Sequence, residues 1–364
     1  MIMNNTNSIE DNRQKRCLLI MPEYKNGGAE KQFGLVIDRA EKEKWKLDVL
    51  ITHRFGGNVD KTLYNSYKNV RFYEMYLYNI VGVTELAMME SFLSSREKEI
   101  RYINALCYYC TDLHFVDVLC NHGIDLIYSE RNAADEILTN NSLNMVARKC
   151  CAIVCNSSNA KEKIEKNIGI PVKVINNGIE IEDILPRKNG GIKNILVPAR
   201  ISRIKRQLFL LEFLNENREE YKVVLAGSFQ DKTYFLKIKH YIEDNGLDKI
   251  VEIVGETTDM RTLYEWADVV ALSSLYEGTP NVVLEAYMYG RPVIVSDIEA
   301  NRRLVDDAYR FGLDDLIGIS KCLNYLKNLS LDDYDQLIDY NRKLVEMEYS
   351  VDSMVEAYSE YLKV

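Results

Sequence analysis

Residues 268–297, DVVALSSLYEGTPNVVLEAYMYGRPVIVSD, decide the fold of this chain. The stretch starts as a short apolar strand, turns into a helix that ends at Gly290, and returns as a second apolar strand at Val293. Two apolar strands joined by one helix are typical of neighbouring parallel strands in a sheet. The stretch therefore predicts an α/β domain with a parallel sheet.

The start of this helix has the composition of an anion-binding site. Thr279 is a good N-cap, and Pro280 suits the first helical position, where a backbone N–H would have no partner. The N–H groups of Asn281 and Val282 are then expected to point out of the positive helix end. A phosphate group is the ligand that this arrangement favours.

Two carboxylates flank the predicted phosphate site. Glu277 precedes the helix and Glu285 lies inside it. Carboxylates do not bind phosphate, but they suit a ligand rich in hydroxyl groups, such as a ribose or a hexose. The alternative is a surface helix with solvated acids, and the position at the carboxyl end of a parallel strand favours the ligand.

The alternation of strand and helix continues over the whole chain. At 364 residues the length indicates two domains, and we place them at 1–184 and 185–345, with a polar linker at about 179–191 and a final helix at 346–364 that can pack back on the first domain. The fold class expected is two doubly wound, Rossmann-like α/β domains that face a central cleft. The predicted strands are Arg16–Met21, Leu47–Thr52, Val70–Tyr73, Tyr102–Tyr109, Ile124–Ser129, Cys151–Asn156, Val172–Ile175, Asn194–Val197, Tyr221–Ala226, Ile250–Val254, Asp268–Ser273 and Val293–Ser296.

A basic segment, ARISRIKR at 199–206, follows the first strand of the second domain. Arg200 can bind two oxygens at once, and Lys205 supplies a point charge. The alternative is a basic helix start with solvated side chains. Because the segment stands at a strand end in an acidic domain, we favour a diphosphate site.

The first domain offers weaker candidates. Gly28, in the NGGAEK turn after the first strand, lets backbone approach a ligand, although a plain turn is nearly as good an explanation. The loops after the fourth and fifth strands carry Asp112 and His114, and Glu130 and Arg131. These four are candidates for acceptor binding or proton transfer, but any one of them is more often structural.

Composition excludes several classes of protein. A net charge of −9 argues against a partner that is nucleic acid. No apolar run is long enough to span a bilayer, and the polar N-terminus has no signal-peptide core, which indicates a cytoplasmic protein whose cysteines are reduced. No Asp-x-Asp follows a strand of the first domain and no Cys/His spacing completes a zinc site, so no metal is expected.

These motifs resemble the family-4 retaining glycosyltransferases of GT-B fold. The order GGAEK (27–31), VCNSSNAKEKI (154–164), INNGIE (175–180), the Arg200/Lys205 loop and the Glu277-x7-Glu285 helix is similar over about residues 16–310. SERN (129–132) resembles a bacterial subset that builds surface polysaccharide. Departures from the family pattern are Ala199 and Arg206, where glycine is usual, and a shortened turn at 309–312.

The resemblance implies a role for each matching residue. Arg200 and Lys205 would bind the donor diphosphate and stabilise the leaving group, and Glu277 would hold hydroxyls of the transferred sugar; these three form the catalytic set. The donor-binding set is Gly28, Thr279, Asn281, Val282 and Glu285, with Glu285 on the ribose. The first domain would be the acceptor side and the second would bind the nucleotide sugar.

The expected function is metal-independent, retaining transfer of a sugar from a nucleotide sugar, UDP-linked by default, without a further cofactor. The acceptor would be a glycan or polyprenol-linked glycan in polysaccharide biosynthesis. Tyr, Met and Leu within 76–99 leave open a lipid-linked acceptor and peripheral contact with the inner face of the membrane, with an ordinary core helix as the equal alternative. The alternatives are a nucleotide-sugar epimerase of the same fold and a non-catalytic GT-B partner subunit. Sequence leaves open the sugar, the base, the acceptor, the linkage, a protein base and the oligomeric state.

Overall fold

The computed structural model describes residues 11–23, 28–54, 66–80, 83–108, 113–131, 134–187, 191–229 and 231–364. The chain forms two compact units, and each is described by itself. The first unit is Met1–Ile175 together with Val355–Val364, and the second is Asn176–Met354.

The division between the units falls earlier in the chain than the 184/185 boundary expected from composition. The segment that we predicted to be a linker belongs to the second unit. There the Ile179 N–H donates to Tyr349 O (2.7 Å), and the Leu185 N–H donates to Tyr289 O (3.2 Å). Ile179 and Leu185 are both buried, so the segment packs into the second unit at these two positions.

The first unit is built on a seven-stranded parallel sheet in the order β3-β2-β1-β4-β5-β6-β7. Its strands are β1 (Gln14–Met21), β2 (Leu47–Ile51), β3 (Arg71–Glu74), β4 (Ile100–Tyr108), β5 (Asp125–Glu130), β6 (Ala152–Cys155) and β7 (Val172–Val174). Its helices are α1 (Gly28–Lys42), α2 (Val83–Ser94), α3 (Leu113–Asn121), α4 (Asp135–Thr139), α5 (Asn141–Ala147) and α6 (Ser158–Ile168).

A buried polar cluster holds three strands of this sheet at their amino ends. Arg16 Nε donates to Asp48 Oδ1 (2.6 Å), and the Tyr102 hydroxyl donates to Asp48 Oδ2 (2.6 Å). Burial, followed by the charge of Asp48, raises the pKa of Tyr102. A buried charge is tolerated only when it is paired and hydrogen-bonded, and both conditions are met by Asp48.

The second unit repeats the architecture with six parallel strands in the order β10-β9-β8-β11-β12-β13. Its strands are β8 (Asn194–Pro198), β9 (Lys222–Ala226), β10 (Val251–Gly255), β11 (Val269–Leu272), β12 (Val293–Ser296) and β13 (Arg310–Phe311). Its helices are α7 (Gln207–Glu216), α8 (Lys232–Asp244), α9 (Met260–Trp266), α10 (Asn281–Met288), α11 (Glu299–Arg302), α12 (Leu316–Lys327) and α13 (Leu331–Glu348), followed by α14 (Val351–Leu362), which leads into the first unit.

Strand order fixes where a ligand can bind in the second unit. β8 and β11 are neighbours, and the chain proceeds outward from them in opposite directions, to β9 on one side and β12 on the other. Such a switch point leaves a crevice beyond the carboxyl ends of the two strands. The loops that follow β8 and β11 therefore lie side by side there.

The last helix contributes to the first unit through its final residues. The Tyr358 hydroxyl accepts a hydrogen bond from Arg131 Nη1 (3.0 Å), and Tyr361 O accepts one from Asn104 Nδ2 (3.2 Å). Tyr358 is buried, and its ring lies 5.7 Å from that of Phe33, centroid to centroid. These contacts anchor the end of the chain to the first sheet.

Candidate functional site

The basic loop after β8, residues 199–206, is a compact turn. The N–H groups of Lys205 and Arg206 both donate to Ser202 O, at 3.0 and 3.2 Å. Gly227 permits the close approach of the next strand end, because a Cβ there would lie 2.3 Å from Ala199 O and its φ is +154°. The backbone of the loop is thus set by the sheet edge beneath it.

The loop after β11 is hydrogen-bonded to this basic loop. Ser273 Oγ donates to Lys205 O (2.8 Å) and to Arg206 O (3.1 Å), and the Leu275 N–H donates to Ile204 O (2.8 Å). Ser273 is buried. The two segments that we predicted to bind one ligand are therefore joined directly at the switch point.

The predicted cation and the predicted sugar-binding acid contact each other. Lys205 Nζ pairs with Glu277 Oε1, and the Ser274 hydroxyl donates to the same oxygen (2.6 Å). Ser274 is in turn fixed by Ser296 of β12, whose hydroxyl donates to Ser274 O (2.6 Å). The side chains of Lys205 and Glu277 are 16% and 12% exposed, so the pair is largely withdrawn from solvent while still reachable.

The start of α10 differs from the prediction. The helix begins at Asn281 with Pro280 as its N-cap, which has no side chain to accept a bond, so the assignment of Thr279 as N-cap is wrong. Pro280 takes a non-helical ψ of 79°, and the Asn281 N–H turns back to Thr279 O (2.9 Å). The Val283 N–H donates to Pro280 O (2.9 Å), so of the first three N–H groups of the helix only that of Val282 has no acceptor among the described residues.

Asn281 also uses its side chain. Its Oδ1 accepts a hydrogen bond from Nδ2 of Asn177 (3.0 Å), a buried residue of the INNGIE motif. The sequence points to this motif only through the family resemblance, since a single Asn carries no periodic signal. The contact places the motif against the helix start.

Glu285 is oriented by a tyrosine from α9. The hydroxyl of Tyr264 donates to Glu285 Oε2 (2.9 Å), and Tyr264 is fully buried. Burial, and then the Glu285 carboxylate, raise the pKa of Tyr264 well above its ordinary value, so that its hydroxyl remains a donor. The sequence did not single out Tyr264, because the pattern around an aromatic residue in an apolar helix predicts an ordinary core residue.

Two of the three departures from the glycosyltransferase pattern lie in or next to the basic loop. Arg206 keeps the left-handed backbone, φ +51°, that makes glycine usual at such a position. Its guanidinium donates to Leu313 O and to Asp314 Oδ1 (2.7 Å). Ala199 is buried against Gly227, and Arg200, the next residue, is exposed at the surface of the loop.

The candidate residues of the first unit lie at helix starts and at the end of one strand, and one of them is outside the described residues. Gly28 is the first residue of α1, and His114 lies in the first turn of α3, whereas Asp112 lies outside the described residues. Glu130 ends β5 and is buried. Arg131 follows it, with its guanidinium carbon 5.7 Å from the centroid of the Phe33 ring and one nitrogen on the Tyr358 hydroxyl.

Two features are absent from the described part of the chain, a metal-binding cluster and a membrane-spanning helix. Within it, no cluster of three or more His, Cys, Asp or Glu side chains has a geometry suited to a metal ion. None of its helices combines the length and the apolar character needed to cross a membrane.

Residues 192–317 match the protein family described as Glycosyl transferases group 1. The chain carries a group 1 glycosyltransferase domain. One relative is the UDP-Gal:alpha-D-GlcNAc-diphosphoundecaprenol alpha-1,3-galactosyltransferase of Escherichia coli, 28% identical over 213 residues, which cover 52% of this chain and 54% of that protein. Another is the capsular polysaccharide biosynthesis glycosyltransferase CapH of Staphylococcus aureus, 25% identical over 48% of this chain and 52% of that protein. The chain spans about half the length of these curated relatives.

Solved structures extend the similarity of fold to nearly the whole chain. The Anabaena Alr3699/HepE structure in complex with UDP has a TM-score of 0.77 at 16% identity, over 95% of this chain and 98% of that one. A glycosyltransferase from Rickettsia africae has a TM-score of 0.79 at 16% identity, over 96% and 99%. The predicted GT-B fold class, with two parallel-sheet α/β domains, is confirmed.

Proposed function

We propose that this glycosyltransferase-domain protein transfers a sugar from a nucleotide sugar to a glycan or lipid-linked glycan during polysaccharide biosynthesis. The observation that carries the proposal is the meeting of Lys205 and Glu277 at the switch point of the second sheet. A cation for phosphate and an acid for hydroxyls, both largely desolvated, suit a sugar attached to a diphosphate. The names of the two relatives, one a galactosyltransferase and the other a capsular polysaccharide biosynthesis glycosyltransferase, support the same function.

Leaving-group stabilisation is assigned to the basic loop. As the bond from the sugar to the diphosphate breaks, negative charge develops on the phosphate oxygens. Arg200, Lys205 and the N–H of Val282 would neutralise that charge without a metal ion. The new bond forms to the acceptor oxygen on the same face, and the departing phosphate takes the acceptor proton, so the anomeric configuration is retained. This is the family-4 mechanism that the resemblance implies.

Donor recognition is assigned to the two acids and their neighbours. Glu277 would hold hydroxyls of the transferred sugar, and Glu285, already aligned by Tyr264, would hold the ribose. Thr279 and Gly28 complete the proposed donor set. Asn281 would act through its position at the helix start, because its N–H is bonded to Thr279 O in the structure.

The proposed acceptor is a sugar carried on a polyprenol diphosphate. The E. coli relative is named for such an acceptor. Asp112, His114, Glu130 and Arg131 of the first unit remain our acceptor-side candidates. We place the protein in the cytoplasm, with peripheral contact at the inner face of the membrane where a lipid-linked acceptor is found.

Donor binding can be tested first by thermal shift. UDP-, GDP- and ADP-sugars are added in turn, and the true donor should raise the melting temperature by selective binding to the native state. Transfer from that donor to a synthetic prenyl-diphosphate sugar is then measured with and without EDTA, and the product anomer is read by NMR. Loss of transfer in EDTA would contradict metal independence, an inverted anomer would contradict retention, and no binding of any donor would contradict the function itself.

The alternatives have separate outcomes in the same experiments. Incubation with donor and no acceptor yields an isomerised nucleotide sugar if the protein is an epimerase, and slow hydrolysis or no change if it is a transferase. A non-catalytic partner subunit would show neither reaction. The presence of Arg200, Lys205, Glu277 and Glu285 together favours the transferase.

A further inference from the structure

Gln207 is a fully buried amide directly beneath the basic loop. It is the first residue of α7, and none of its surface is exposed. Its Nε2 donates to Arg200 O (2.8 Å) and lies 3.5 Å from Ala199 O, while its Oε1 accepts from the Ser202 N–H at 3.4 Å. One side chain thereby contacts three backbone groups of the basic loop, on Ala199, Arg200 and Ser202.

Helix formation does not require this residue. A buried amide is costly unless its groups are paired, and an apolar side chain such as Leu would fill the same volume in a helix whose other inward residues are Leu and Phe. The polar partners of Gln207 all belong to the basic loop. Its amide therefore serves the conformation of that loop.

The loop is held from the opposite side as well. Ser273 Oγ binds the carbonyls of Lys205 and Arg206, so Gln207 and Ser273 together fix both ends of the segment. The Arg200 side chain is long and exposed, and the conformation of its backbone sets the direction from which that side chain can reach a ligand. Removal of one anchor would leave the charge present but poorly placed.

We propose that Gln207 is a positioning residue for the donor diphosphate: it fixes the peptide of Arg200 so that the guanidinium meets the leaving group. This inference rests on the proposed function. Because misplacement of a catalytic group by about 1 Å can cost on the order of a hundredfold in rate, we expect Gln207→Leu to lower kcat/KM about 10- to 100-fold. The effect should fall on kcat and on the donor KM, with the acceptor KM unchanged.

Gln207→Glu provides a readout that a purely structural role would not move. The ionised carboxylate can accept from the Ser202 N–H but cannot donate to Arg200 O, whereas the protonated acid can do both. Burial favours the protonated form, and the nearby cations Arg200, Lys205 and Arg206 oppose it. The activity of this variant relative to wild type should therefore rise as the pH is lowered from about 8 to about 5.5.

Asn215→Asp is the matched control. Asn215 lies on the same helix, and its amide bonds to Asn245, away from the basic loop. Its activity relative to wild type should not change with pH. Transfer is measured with the nucleotide sugar identified by thermal shift and the prenyl-diphosphate sugar, and the melting temperature of each variant is checked. If Gln207→Leu does not fold, the pH dependence of Gln207→Glu activity relative to wild type still tests the positioning role.

The outcomes separate this inference from the function on which it rests. Two results would overturn the positioning role alone, provided that the wild type transfers sugar. One is a kcat/KM of Gln207→Leu within about twofold of wild type, and the other is a Gln207→Glu activity, relative to wild type, that does not change with pH. Absence of transfer by the wild type from every nucleotide sugar would remove the proposed function, and the positioning role with it.

Discussion

The contact between Lys205 and Glu277 predicts that their contributions to transfer are coupled. The Lys205 ammonium lies on the Glu277 carboxylate, and the Ser274 hydroxyl donates to that carboxylate at 2.6 Å. In the proposed donor complex the two charges serve different parts of one ligand, the diphosphate and the sugar. Each alanine substitution thus removes a ligand contact and also leaves its partner without its counter-charge.

The expected size follows from the kind of group removed. Loss of a group that stabilises transition-state charge costs about 2.7–4 kcal/mol, or about 100- to 1000-fold in kcat. Independent effects of Lys205→Ala and Glu277→Ala would multiply to about 10,000-fold or more. Residues in contact couple by about 0.5–3 kcal/mol, so we expect the loss in the double variant to be smaller than the product by a factor of about 2 to 150.

A double-mutant cycle on kcat/KM for transfer measures this coupling. Arg203→Ala is the control, because Arg203 lies in the same basic loop but is 61% exposed and pairs with Asp231 at 3.0 Å. A surface pair of this kind is worth about 0–1 kcal/mol, and activity should stay within about twofold. Near-normal turnover by both single variants would refute the assignment of the site, and full multiplication in the double variant would refute the coupling.

Three further predictions concern the stability of the two units. Asp48→Ala should lower the free energy of unfolding by about 3–5 kcal/mol in a urea titration, because it leaves the guanidinium of Arg16 buried without its charge partner; a loss below about 1 kcal/mol would contradict the buried pair. Burial opposes ionisation of Glu41, but its hydrogen bonds from the backbone N–H groups of residues 68–70, at 2.7–2.9 Å, outweigh burial and lower its pKa below the ordinary value. The stabilisation is therefore complete above about pH 5 and lost as the pH falls through the lowered pKa, so the melting temperatures of wild type and Glu41→Gln should converge in acid, and a pH-independent difference would contradict this. Arg206→Gly should be more stable than Arg206→Ala by about 1 kcal/mol, because both lose the same side-chain contacts and only glycine relieves the left-handed backbone; equal stabilities would contradict that strain.

Local sequence patterns determined most of the fold. Apolar runs of four to eight residues between helical segments predict twelve strands, and the structure places each of them within about two residues of its expected ends. β13 was not predicted because a strand of two residues shows no periodicity. Thr279 was wrongly assigned as the N-cap because the sequence shows only which residue types favour a cap, whereas backbone angles decide where the helix begins.

The candidate site was likewise predictable in part, in its residues but not in their arrangement. Arg200, Lys205, Glu277 and Glu285 could be singled out from the sequence, since each follows or lies near a strand end where parallel sheets bind ligands. The order of strands in the sheet was not readable from local pattern. It is this order that makes β8 and β11 neighbours and brings Lys205 onto Glu277, 72 residues away.

Only the tertiary structure could reveal the residues that align the site. Gln207 and Tyr264 lie in helices, at positions whose spacing is that of ordinary core residues. Only the structure shows that Gln207 donates to Arg200 O and that Tyr264 donates to Glu285. The sequence gives the chemical type of each side chain, but the orientation of the side chain depends on packing against elements that are remote along the chain. The sequence therefore determined which charges this protein has for a donor, and the fold decided how they are held.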